Sequence, residues 1–393
     1  MIDFIREAEQ LFEYTQSLRR DFHRHPELGF REVRTAGIVA RELNELGLEV
    51  STGIAETGVV AILEGSRPGP VVLARFDMDA LPIQEETGAE YASENPGVMH
   101  ACGHDGHTAI GLSVARLLKA HQDELAGAIK FVFQPAEEGQ GGAERMVAEG
   151  VLGNPRPDLT LALHLWNNEP VGWLAVVPGP MMAAADEFTV RLVGKGGHGA
   201  LPHLANDPVV AAAQMITALQ TIPSRNVSPL ESTVISVTCM HAGEAFNVIP
   251  SEVELKGTIR TFELQVRETV IARFNEVVEG IAAALGCTAT VELVRVTPPT
   301  INDATITRRV QLVASQVLPG STLMTDYRTM GSEDMAFMME QVPGSYFFVG
   351  SANPDKGLDA THHHPRFDFD EAALPQATAL MAASIYDFLT STE

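Results

Sequence analysis

The sequence predicts an α/β protein: a mixed-sheet domain with helices on both faces, carrying an inserted ferredoxin-like α+β domain. Three observations lead there. The chain has 393 residues, long for one hydrophobic core, so two domains are expected. Short, continuous apolar runs alternate with helical periodicity, as in sheets covered on both faces. Between residues 187 and 296 the order becomes strand, helix, strand, strand, helix, strand, that of a ferredoxin-like sandwich. The expected division is residues 1–186 and 302–393 for the larger domain and 187–301 for the insertion, whose size suits a separate domain.

The elements follow in order. Phe4, Ile5, Ala8, Leu11, Phe12 and Leu18 recur at helical spacing, predicting one amphipathic helix that Pro26 ends. A second helix is expected over residues 35–46, stopped by Gly47. The runs Gly58-Val-Val-Ala-Ile-Leu and Pro70-Val-Val-Leu-Ala read as strands. A helix over 108–121, a strand over 128–133 and the run Leu159-Thr-Leu-Ala-Leu before His164 come next. In the insertion, strands are expected over 188–193, 233–240, 252–261 and 288–296, with helices over 208–221 and 264–285. From Asp303 onward helix and strand alternate again and complete the larger domain.

Composition narrows the function. Lysine and arginine number 27 against 51 acidic residues, a formal charge of −24. Such a chain has no basic footprint for nucleic acid or an anionic membrane surface. The three cysteines, Cys102, Cys239 and Cys287, form no disulfide framework and fit a reducing compartment. The first residues are charged throughout, unlike a signal peptide, and no run approaches a membrane span. A cytoplasmic enzyme is expected.

Polar residues gather where apolar runs end: Asp77-Met-Asp79, His100-Ala-Cys102-Gly-His104-Asp-Gly-His107, Glu137-Glu138-Gly139, His164, and His362-His363-His364-Pro365. Open α/β sheets build their sites at such strand ends. Imidazole, carboxylate and one thiolate suit a first-row divalent ion such as zinc, manganese, cobalt or nickel, and not calcium. Glu137 and Glu138 are adjacent on a loop bounded by Pro135 and Gly139, so they point different ways. One can bind metal while the other moves protons, the division that metal-assisted hydrolysis requires. Asp77 or Asp79 can cap a turn or hold a ligand imidazole in the right tautomer. Each group also has a plainer reading: a buried apolar cysteine, a solvated glutamate pair, a core histidine, a surface histidine run. His23, His25, His121 and His203 are read as structural or surface residues.

At these residues the chain resembles the M20 family of metallopeptidases, in its amidohydrolase branch. The resemblance covers nearly the whole chain, through Arg20-Asp-Phe-His-Arg-His-Pro-Glu-Leu-Gly29, Asp77-Met-Asp-Ala-Leu-Pro82, the His100–His107 run, Gln134-Pro-Ala-Glu-Glu-Gly139, Gly194-Lys-Gly-Gly-His198, Phe246-Asn-Val-Ile-Pro250 and Ser332-Glu-Asp334. It implies hydrolysis of the amide bond of N-acyl amino acids with two divalent metal ions, manganese or zinc first, cobalt or nickel next. Cys102 would bridge the ions; His104, Glu138, His164 and His363 would complete the ligands, with His362 and His364 flanking the last choice. Glu137 would be the general base that activates the metal-bound water. His198, Asn247 and Arg260 would contact the substrate carboxylate or the oxyanion, with His198 sharing in catalysis. The insertion would act as a lid that often dimerises.

Rival readings make different demands. A dipeptidase or carboxypeptidase of the same family would recognise a free α-amino group. A cysteine hydrolase with Cys102 as nucleophile would leave Glu138, His164 and His363 without a task. A metal- or peptide-binding module would bind without turnover.

Overall fold

The computed structural model describes residues 2–391, and the chain forms two compact units. The first comprises residues 2–181, 301–328 and 334–391; the second comprises Met182–Thr300 and Thr329–Glu333. The return segment 329–333 therefore belongs with the second unit, although the sequence division placed it in the larger domain. Two contacts hold it there: Ala183 N donates to Gly331 O at 2.8 Å, and Arg260 Nη1 donates to Ser332 Oγ at 2.7 Å.

The strands are β1 (Glu49–Ile54), β2 (Gly58–Glu64), β3 (Arg67–Asp77), β4 (Ala126–Gln134), β5 (Leu159–Pro170), β6 (Trp173–Ala175) and β7 (Gly179–Met182), then β8 (Ala184–Val193), β9 (Gly197–His198), β10 (Thr233–Ala242), β11 (Val248–Ile249), β12 (Glu252–Thr261) and β13 (Thr288–Thr297), and finally β14 (Thr300–Asn302), β15 (Thr322–Met324) and β16 (Gly344–Ala352). The α-helices are α1 (Phe4–Gln10), α2 (Phe12–Arg24), α3 (Val33–Glu45), α4 (His104–Ala120), α5 (Gly142–Ala148), α6 (Pro208–Leu219), α7 (Leu264–Ala284), α8 (Ala304–Val317), α9 (Ala336–Met339) and α10 (Ala373–Thr390).

In the first unit one mixed sheet runs in the order β1-β2-β4-β3-β5-β16-β6-β15. Its centre is parallel: β3 pairs parallel with β4 and β5, and β5 with β16. The central strands are buried residue after residue, as in Val72–Asp77 and Leu159–Asn167, which happens only when both sheet faces are covered. Phe76 and Phe133 meet across β3 and β4 with ring centroids 5.5 Å apart. Helix α4 is buried from His104 to Ala115, so it is a core helix and not a surface one. Gly111 lets it lie against the sheet: a Cβ there would stand 2.7 Å from the Phe76 ring. The expected N-terminal helix is two helices, α1 and α2, meeting at Leu11.

The second unit has one four-stranded antiparallel sheet, β10-β12-β8-β13. With α6 and α7 in the connections, this is the ferredoxin-like order. Alternate residues of β12 face its core: Val253, Leu255 and Ile259 join Phe188, Phe274 and Val278. A separate pairing of β9 with β11 sets His198 opposite Val248.

Candidate metal centre

The chemistry-bearing side chains of the first unit stand on five segments around the carboxyl ends of the parallel strands. Asp77 ends β3 and Asp79 follows it. Cys102 lies in the loop before α4, and His104 is the first residue of that helix. Gly103, with φ of 91°, takes the left-handed conformation that turns the loop into the helix. Glu137 and Glu138 lie between β4 and α5. His164 sits within β5, which continues to Pro170, and does not follow the strand's end as the apolar run suggested. His363, in a left-handed turn of φ 65°, is pinned to the Cys102 loop by His363 N donating to Ala101 O at 2.8 Å.

Donor atoms converge in three overlapping sets, within 4.8 Å in each: Cys102, His104 and His164; Cys102, Glu138 and His363; His104, Glu137 and Glu138. Cys102 is common to the first two. Its Sγ lies 3.5 Å from His164 Nε2, and His363 Nε2 lies 3.3 Å from Glu138 Oε1. A fourth set, Asp77, His104 and His107, has its other partners committed, as the hydrogen bonds of each ring show.

Hydrogen bonds to one ring nitrogen decide what the other can do. His164 Nδ1 faces Leu165 O at 2.6 Å, so it carries the proton and Nε2 offers a lone pair. His104 Nδ1 faces Asp79 O at 3.0 Å and Asp79 Oδ1 at 3.2 Å, which leaves Nε2 for a ligand's role. His107 is different: Nε2 accepts from Leu165 N at 2.9 Å and Nδ1 donates to Asp77 Oδ1 at 2.6 Å. His362 is likewise committed, because Asn167 N donates to its Nε2 at 3.1 Å. His364 Nδ1 accepts from Arg366 N at 3.0 Å. Of the three adjacent histidines, His363 is the one facing Glu138.

The residues fit a pair of cations. Buried His104 Nε2 has no hydrogen-bond partner, a costly arrangement that a bound ion relieves. Burial, then Glu138 and Glu137, pushes the Cys102 thiol well above its usual range; a divalent ion reverses that and takes the thiolate. Burial lowers the His104 pKa, but Asp77 and Asp79 outweigh it and raise it to about 10. The pocket thus draws positive charge to Nε2, which metal can supply in place of a proton. Burial, helped by His107 and His362, holds His164 neutral. Asp77 stays ionised despite its burial because His104 and Arg75 hold it well below the usual carboxylate range; Arg75 Nη1 donates to its Oδ2 at 2.7 Å.

Behind α4, His23 is structural, as expected. Its Nδ1 meets Asp105 Oδ2 at 2.7 Å, and buried Arg19 donates to the same oxygen at 2.9 Å. Glu32, which no sequence pattern singles out, accepts from Ala136 N at 2.9 Å and from Thr57 Oγ1 at 2.6 Å. It anchors the loop just before Glu137.

In the second unit, His198 and Asn247 come together: Gly199 N donates to Asn247 O at 2.8 Å, and both line an open concavity of about 760 Å³. Arg260 is not with them. It lies near the far end of β12, about 25 Å along an extended strand from Glu252.

Residues 73–387 match the peptidase family M20/M25/M40. The N-acyl-L-amino acid amidohydrolase of Geobacillus stearothermophilus is 51% identical over 270 residues, covering 68% of this chain and 72% of that protein. The N-acetyl-L-cysteine deacetylase of Bacillus subtilis (strain 168) is 41% identical over 376 residues, 96% of this chain and 88% of its own. Among solved structures, the YXEP protein of Bacillus subtilis, a dinuclear metal-binding peptidase from the M20 family, superposes with a TM-score of 0.85 at 36% identity, covering 97% of this chain and 99% of that one.

Proposed function

Because this chain belongs to peptidase family M20/M25/M40, we infer that it is a metal-dependent amidohydrolase that cleaves the amide bond of N-acyl amino acids. The observation that carries the reading is the convergence of Cys102, His104, Glu138, His164 and His363 through two donor sets sharing the cysteine, with Glu137 beside them. We assign those five as the metal ligands and Cys102 as the bridge. Two divalent ions held there would supply Lewis-acid polarisation of the amide carbonyl and a lowered pKa for water. Manganese or zinc fits the mixed donor set first, and cobalt or nickel next.

The chain's own groups do the rest. Glu137 accepts the proton of the attacking water and hands it to the leaving nitrogen. Asp79 holds the His104 ring and Glu32 the loop before Glu137, so neither donor must reorganise during reaction. His198, Asn247 and Arg260 are assigned to the substrate, His198 also to the developing oxyanion. Because Arg260 stands apart from the other two within one chain, the assignment takes them from different subunits of a homodimer.

The location and assembly belong to the same proposal. All three cysteines are free, which supports a cytoplasmic setting. No helix among the described residues is long and apolar enough to cross a membrane. The β10 edge of the second unit's sheet is open on one side, with Met240 exposed, and supports self-association as a homodimer.

A panel of N-acyl amino acids and unblocked dipeptides of matched side chains tests the reading. Faster turnover of the acylated substrates is expected. A preference for dipeptides would instead make the protein a dipeptidase of the family.

A further inference from the structure

The sulfur of Cys102 has a second imidazole neighbour besides His164: His362 Nδ1 lies 3.8 Å from it. A backbone N–H can only donate, so Asn167 N at 3.1 Å makes His362 Nε2 an acceptor. In a neutral imidazole the proton must then be on Nδ1, the nitrogen that faces Cys102, whose sulfur and backbone carbonyl are the acceptors within reach. A hydrogen bond to sulfur is longer than one to oxygen, and 3.8 Å is within its reach.

The surroundings leave the ring little freedom to choose otherwise. Trp166 and Phe367 pack against it at centroid distances of 5.0 and 5.1 Å, and His164 meets it edge-on at 5.0 Å. Asn167 is itself fixed: Nδ2 donates to Ala360 O at 2.8 Å and Asp368 O at 3.0 Å, and Oδ1 accepts from Ser351 Oγ at 3.0 Å. The two imidazoles facing the sulfur therefore have opposite polarity. His164 presents a lone pair and His362 an N–H.

We propose that His362 is a positioning residue that donates from Nδ1 to the Cys102 thiolate, tuning that ligand without binding metal itself. The proposal rests on the reading of Cys102 as a ligand. A thiolate that bridges two cations keeps lone pairs beyond its metal bonds, and an N–H on one of them fixes the sulfur's direction. It also lowers the sulfur's donor strength. Positive charge is not required of the donor, which suits a ring packed among Trp166, Phe367 and His164.

The test uses the full chain loaded with cobalt(II), reading the sulfur-to-cobalt charge-transfer band. Wild-type protein must show the band and Cys102→Ser must lack it; a wild type without it overturns the ligand reading itself. His362→Phe keeps an aromatic ring in the packing but removes the N–H. The band is expected to move to longer wavelength, because the sulfur regains donor strength. His362→Gln, whose amide can accept from Asn167 and donate to sulfur, should return the band toward its wild-type position. An unshifted band in His362→Phe, or equal shifts in both variants, overturns the hydrogen bond while leaving Cys102 as a ligand. Independently of folding in the variants, the ¹⁵N histidine spectrum of zinc-loaded wild type must place the His362 proton on Nδ1. The opposite tautomer overturns the proposal.

Discussion

Asp79 holds Glu138 and His104 at once: its Oδ2 accepts from Glu138 N at 2.9 Å, while its Oδ1 lies 3.2 Å from His104 Nδ1. One carboxylate thus sets the position of a ligand loop and the tautomer of a ligand ring. Asp79→Asn keeps the shape but can turn an N–H toward either partner. Metal affinity is expected to fall roughly 10- to 100-fold, measured by chelator competition. Unchanged affinity would remove Asp79 from this role.

Glu137→Gln should separate binding from proton transfer. The amide cannot take a proton from water, so turnover falls roughly 10²-fold or more while both ions stay bound. Metal content by elemental analysis and initial rates on one N-acyl substrate check both halves. Near-wild-type turnover would refute the assignment of the base.

The three adjacent histidines should behave differently. His363→Ala removes the imidazole facing Glu138 and is expected to weaken metal binding at least roughly 10-fold. His364→Ala, whose ring serves the turn at Arg366, should bind metal as the wild type does. Equal losses in both variants would contradict the ligand choice.

Glu32 gives the fold a pH dependence of unusual sign. Burial raises its carboxyl from 4.5 to about 7, against the hydrogen bonds from Thr57 and Ala136. Between those values the folded chain keeps a proton that the unfolded chain has released, so this group's contribution to stability falls as pH rises through the window. Glu32→Gln cannot ionise and should lessen the loss between pH 4.5 and 7.5 by roughly 3 kcal/mol. Denaturant midpoints at both pH values measure it; parallel pH profiles in wild type and variant would contradict it.

Arg19 lies fully buried among Asp105, Asp368 and Glu371 at 2.9, 2.6 and 3.2 Å, between the rings of Tyr91 and Phe369. Arg19→Met leaves three carboxylates without their common cation. Breaking such a buried network costs about 3–5 kcal/mol, readable as a lowered denaturant midpoint. A midpoint within error of wild type would show that the carboxylates find other partners.

What was legible in the sequence was local. Runs such as Val71–Ala74 and Phe131–Phe133 announce strands buried on both faces, and the residues that end or follow them announce a site. The second unit's topology follows from the order of its elements alone. Contacts between distant segments left no such signal. Asn167 and His362 lie 195 positions apart, and Glu32 and Ala136 lie 104 apart, so neither pair has a spacing that a pattern could reveal. The short pairing of β9 with β11 was hidden because two-residue strands have no periodicity. The return of residues 329–333 to the second unit was hidden for a related reason, since it depends on hydrogen bonds to Ala183 and Arg260. The resemblance groups Arg260 with His198 and Asn247 as substrate contacts, and no local pattern shows that a fully extended β12 separates them within one chain.

The most direct test of the account is hydrolysis of an N-acyl amino acid by chelator-stripped protein, before and after adding back manganese, zinc, cobalt or nickel. The account predicts that stripping abolishes turnover and that at least one of these ions restores it, with saturation at two equivalents per chain. Turnover that survives complete removal of metal would contradict it and return Cys102 to consideration as a nucleophile.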